Sequence, residues 1–85
     1  MCSNITEKVS VLGSARSLEG WFNIDTANVY FDHPYHAQLD HSLNIDFVNE
    51  AEGAPKRVAV EMSADSAREL VQKILAALAA GETAH

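Results

Sequence analysis

The chain has one cysteine, Cys2, in 85 residues. No internal disulfide can form, and the paired cysteines of the common zinc motifs are missing. Basic residues are also few. Six Lys and Arg stand against twelve Asp and Glu, for a formal net charge of −6. Cations so sparse and scattered make no patch for a phosphate backbone or an anionic bilayer, so neither nucleic acid nor membrane is an expected partner. No apolar run is long enough to span a bilayer. The first eight residues, Met1 to Lys8, lack the hydrophobic stretch of a signal peptide. These absences together predict a cytoplasmic, reducing setting. No internal repeat or low-complexity tract is present.

What remains is an ordinary globular composition, 47% hydrophobic and 21% charged. At this length the chain reads as a single domain over residues 1–85. A domain of this size buries only about 60–65% of the surface of its unfolded chain. Its core is small, and pairing with a second copy would stabilise it, so a homodimer is expected.

Residues 4–12 alternate, with Ile5, Glu7, Val9 and Val11 on one face and Thr6, Lys8 and Ser10 on the other. This is the pattern of a strand with one buried side. Residues 13–20 read as a loop between Gly13 and Gly20. A second strand is predicted near 26–33, with Val29, Phe31 and His33 in phase. A third is predicted near 41–49, carrying Leu43, Ile45 and Phe47, and a fourth near 57–62, carrying Val58, Val60 and Met62. The period then changes. Ser63 is a suitable N-cap with Asp65 behind it in the first turn. Ala67, Leu70, Val71, Ile74, Leu75 and Leu78 form one helical stripe, flanked by a Glu69–Lys73 pair, and Gly81 is a helix stop. The expected fold is α+β: a four-stranded antiparallel meander with one C-terminal helix packed on its apolar face. Leu70, Ile74 and Leu78 would lie against Val29, Ile45 and Val60.

Three of the four histidines fall within nine residues, in the run Asp32-His33-Pro34-Tyr35-His36-Ala37-Gln38-Leu39-Asp40-His41. Neutral imidazole is the commonest ligand for a transition metal and the commonest acid–base group near neutral pH. Matching the apolar residues of strands two and three pairs Phe31 with Leu43 and Val29 with Ile45. That register sets His33 opposite His41, at about 4.5–5.5 Å between Cβ atoms, with His36 in the closing loop. His33, His36 and His41 are therefore candidate metal ligands. Asp32, Asp40 or Cys2 would complete the shell, or the acids would orient the imidazoles. The cofactor expected is a divalent transition metal, Zn, Fe, Cu, Ni or Mn. Removal of Met1 would expose the amine and thiol of Cys2 as a chelate or nucleophile. The same register pairs Asn28 with Asp46, Tyr30 with Asn44 and Asp32 with Ser42 on the opposite face, joined by Glu61. This is a solvated sheet face, a polar pocket or a subunit interface.

The segments Met1-Cys2, Ile5-Thr6-Glu7-Lys8, Gly20-Trp21-Phe22, Ala27-Asn28-Val29-Tyr30-Phe31-Asp32-His33-Pro34, His36 and His41-Ser42-Leu43-Asn44-Ile45-Asp46-Phe47-Val48-Asn49 together resemble a family of small, uncharacterised actinobacterial proteins. The resemblance spans nearly all of the chain. It implies a compact stand-alone protein and brings no activity, cofactor or catalytic residue. Three functions follow from the residues. The first is a small metal-binding protein, or metal-dependent enzyme, acting on a small-molecule ligand. The second is a non-enzymatic homodimeric interaction module. The third is a metal-free enzyme with a histidine as general base.

Overall fold

A computed structural model describes residues 5–53 and 56–85. Four strands precede one helix: β1 (Thr6–Ser17), β2 (Gly20–Asp32), β3 (Ser42–Val48), β4 (Arg57–Met62) and α1 (Ala64–Ala84). The strands form one open antiparallel sheet in the order β1-β2-β3-β4, the expected meander. The β2–β3 register pairs Phe31 with Leu43, Val29 with Ile45, Asn28 with Asp46, Tyr30 with Asn44 and Asp32 with Ser42, as the apolar pattern requires. Because side chains alternate along a strand, one face carries the cross-strand rows Glu7–Val29–Ile45–Val60 and Val9–Ala27–Phe47–Val58. The other face carries Thr6–Tyr30–Asn44–Glu61 and Lys8–Asn28–Asp46–Ala59.

Two boundaries differ from expectation. Residues 13–20 are not a loop. β1 runs through to Ser17, and β2 starts at Gly20, so Trp21 and Phe22 belong to the sheet. Gly13 marks a shift in register between Ser10 and Gly13, a bulge rather than a strand end. The chain reverses over Leu18 and Glu19. The Ser17 hydroxyl accepts the Glu19 N–H at 3.1 Å, and Gly20 takes φ +113°, which a Cβ would resist. Nor does Gly81 stop the helix, which continues to Ala84. Gly81 lacks the positive φ of a C-terminal glycine cap, and the His85 N–H still reaches back to the Gly81 carbonyl at 3.0 Å.

The helix start is as read from the sequence. Ser63 is the N-cap, and its hydroxyl accepts the Ser66 N–H at 3.1 Å. Arg68 pairs with Asp65 at 3.0 Å and Lys73 with Glu69 at 3.7 Å. The apolar stripe begins over the sheet. Leu70, Val71 and Ile74 face Val29, Leu43, Ile45 and Met62 across an apolar cleft of about 310 Å³. The expected apposition of Leu70 and Ile74 to Val29 and Ile45 therefore holds, while Leu78 and Val60 are not part of this cleft. The layers do not close. Ala67 is half-buried, exposure over the rest of the stripe runs from 41% at Leu70 to 62% at Leu75, and α1 buries no residue. Among the described residues the buried apolar side chains are Ile24 and Ala27, beside the polar Thr26, Ser42, Asn44 and Asn49.

With little tertiary packing to hold it, α1 depends on its cap. Ser63→Ala is expected to cost about 1 kcal/mol, which lowers the melting temperature of a domain this size by about 4–8 °C. A thermal melt followed by far-ultraviolet circular dichroism checks this, and an unchanged midpoint would show that the cap does not hold the helix.

Candidate functional site

The histidines sit where β2 hands over to β3. Asp32 and Ser42 are the last paired residues, and Pro34 disfavours helix at His33 and has no N–H to continue the ladder. Residues 33–41 close the hairpin. The His33 and His41 rings stack, with centroids 4.7 Å apart and planes 28° apart. His41 stacks in turn on Phe31 at 5.7 Å. The Asp40 carbonyl lies 3.0 Å from His33 Nδ1. A carbonyl only accepts, so Nδ1 carries the proton in this contact, which leaves Nε2 as the lone-pair nitrogen of neutral His33.

Imidazole lone pairs lie in the ring plane. Rings stacked face to face direct them side by side rather than toward one point, so this pair does not chelate in its present rotamers. His36 is held elsewhere. Its N–H donates to Glu61 Oε1 at 3.0 Å, and the residue lines a cleft of about 410 Å³ with Tyr35, Ala37, Arg57, Ala59 and Glu61. Asp32 turns Oδ1 to the His33 N–H at 2.7 Å. Cys2 lies outside the described residues. The hairpin thus brings His33 and His41 together and leaves His36 apart. Among the described residues, no group of three or more His, Cys, Asp or Glu could hold a metal ion.

The loop is secured by Glu61, which the sequence placed on the polar face without a role. Its carboxylate accepts the N–H groups of Tyr35, of His36 at 3.0 Å and of Ala37 at 2.9 Å. The Ala37 and Tyr35 amides hold its carboxyl below the ordinary 4.5, against opposing desolvation. His36 adds its amide and the field of its imidazole. The signal that could have revealed this is positional. β4 sets an acid in the row beside Asn44, under the end of a hairpin whose loop N–H groups need acceptors.

Asp25 does the same at the other end of the sheet. It accepts the Glu50 N–H at 2.9 Å, the Ala51 N–H at 3.4 Å and the Thr26 hydroxyl at 2.9 Å. These bonds, the Glu50 amide foremost, lower its carboxyl pKa. Between the two acids, the Tyr30 hydroxyl donates to Asp46 Oδ2 at 3.4 Å, and Arg57 Nε lies 3.5 Å from Asp46 Oδ1. Burial, and then the Asp46 charge, raise the Tyr30 pKa. Asn44, 2% exposed, accepts the Ser42 hydroxyl at 2.6 Å and leaves its Nδ2 without a hydrogen-bond partner.

A family model matches residues 1–85. The chain belongs to DUF6295, a family of unknown function. No curated protein and no solved structure matches it. Membership therefore carries no activity to these residues, and the reading rests on geometry. No helix is long and apolar enough, among the described residues, to cross a membrane.

Glu61→Gln removes the charge that gathers three amides. Hydrogen exchange at Tyr35, His36 and Ala37 should quicken at least about tenfold, since charge-assisted bonds are roughly twice as strong as neutral ones. The wild type should behave alike in acid. A folded pKa below the ordinary 4.5 means that the carboxylate's contribution is complete above that pH and is lost as pH falls through the lowered folded value. Amide shifts of residues 35–37 followed by NMR from pH 7 to about 3 would show it, and shifts that move identically in Glu61→Gln would refute it.

Proposed function

We propose that the chain is an assembly module, a homodimer in which a second copy covers the apolar face of the sheet and the helix. The observation that carries this is the unclosed layer between α1 and the sheet. Full burial of a Leu, Ile or Val contributes about 1.5–3 kcal/mol, and Leu70, Val71, Ile74, Leu75 and Leu78 all remain exposed. Ordering the backbone costs about 1–2 kcal/mol per residue. A chain burying so few apolar side chains has little to set against that cost.

Area supports the same reading. The chain exposes 6620 Å², whereas a folded monomer of 9.2 kDa is expected to expose about 4,900 Å². The excess is about 1,700 Å² per chain. The six residues outside the description, at about 160 Å² each by the same scaling, account for at most about 950 Å² of it, which leaves about 750 Å² per chain. Two such remainders amount to about 1,500 Å², within the span of about 1,200–2,000 Å² that a standard protein–protein interface buries. The radius of gyration, 14.3 Å, exceeds the roughly 12 Å of a compact domain of this length. Sedimentation equilibrium at tens of micromolar should give twice the 9.2 kDa chain mass. A mass near 9.2 kDa would overturn the proposal.

A second reading rests on His33 and His41, whose rings lie 4.7 Å apart. Rotation about χ1 and χ2 would bring two imidazole nitrogens toward one divalent transition metal, with Asp32 or Asp40 beside them. Two imidazoles without a third convergent ligand make a weak site. Titration with Zn, Cu, Ni, Fe or Mn is expected to give no binding tighter than about 0.1 mM, or about −5.5 kcal/mol. Tighter binding abolished by His33→Ala or His41→Ala would put the metal reading first.

A further inference from the structure

We infer that residues 75–80, in the C-terminal half of α1, seat on the apolar sheet face of the second copy. This rests on the homodimer reading and specifies how it is built. The two halves of α1 differ. The first has a polar flank in Asp65, Ser66, Glu69, Gln72 and Lys73. The second opens with Ile74-Leu75-Ala76-Ala77-Leu78-Ala79-Ala80, a stretch with no polar residue, before Gly81, Glu82 and Thr83. At 3.6 residues per turn, seven residues circle the axis nearly twice, so this segment is apolar at every angle. A helix hydrophobic all round is a buried helix, yet each of these seven residues is exposed in the single chain.

The sheet offers the matching vacancy. The near end of its apolar face, at Leu43, Met62, Val29 and Ile45, already has Ala67, Leu70, Val71 and Ile74 of its own helix opposite it. At the far end lies the row Val9–Ala27–Phe47–Val58, in which Val9 is 53% exposed, Phe47 and Val58 are half-buried and the small Ala27 is buried between its neighbours. A two-fold axis lets each copy give its distal helix half to the other's far row and receive the same in return. Each face then carries two helix halves, one its own and one borrowed. A sheet-to-sheet dimer, by contrast, would leave residues 75–80 in water. A partner of another kind would have to supply a helix that this chain already has to spare.

The test mixes carbon-13-labelled and unlabelled chains and records filtered nuclear Overhauser spectra, which report contacts between copies alone. Contacts from the Leu75 and Leu78 methyls of one copy to Val9, Phe47 or Val58 of the other are expected. Finding those contacts only within one chain, or finding only sheet-to-sheet or helix-to-helix contacts between copies, would overturn the inference. Leu78→Asp, which places a charge in the docked segment, should raise the dimer dissociation constant at least about a hundredfold, and Gln72→Asp on the polar flank less than about threefold. A Leu78→Asp dimer as tight as wild type would overturn the inference too. Sedimentation of the wild type separates the two claims. A monomer defeats both, whereas a dimer lacking the contacts from Leu75 and Leu78 defeats only the helix exchange.

Discussion

Burial of the apolar sheet face is the constraint on which everything else in this molecule depends. The alternation of β2, β3 and β4 puts Val29, Phe47, Ile45, Val58 and Val60 on one side, and a side so composed must be taken out of water. α1 leaves β4 through a well-formed cap and turns its stripe toward that side, but a cleft remains between the layers. Every element is locally sound: the register is regular, the cap is made, the turns have their glycine and serine. What a single chain lacks is the second surface that would convert good local structure into a closed core, and the proposed second copy would supply it without a new sequence.

The ends of the sheet follow a different logic. Here burial is local and hydrogen bonds do the organising. Asp25 gathers the amides after Asn49, and Glu61 gathers those of the histidine loop. Two carboxylates, one near each end of the sheet, thereby hold the loops that would otherwise leave N–H groups unpaired. The stacked His33 and His41 belong to this scheme as a hairpin closure resting on Phe31.

The hairpin register was legible because a one-residue slip would move Val29, Phe31, Leu43 and Ile45 to the wrong face. That same certainty brought His33 beside His41. It could not tell whether the two rings would converge on an ion or stack, because side-chain rotation is independent of register. β1 was misjudged at Gly13, since a glycine reads as a break whether it ends a strand or sits in a bulge. Gly81 misled for the related reason that the residue alone does not report its φ. Glu61 was visible as a charge on the polar face, but its three amide partners lie 24 to 26 residues away in the chain.

By itself the sequence determined the α+β class, the order and pairing of the strands, the two faces of the sheet and the start of the helix. Each of these is set by a short-range period or by a cap a few residues long. Only the tertiary structure decided how far the helix stands off the sheet, how the loop is tethered and that the two layers stay open. Those outcomes depend on distances between segments far apart in the chain, and periodicity says which side of an element is apolar without saying what will cover it.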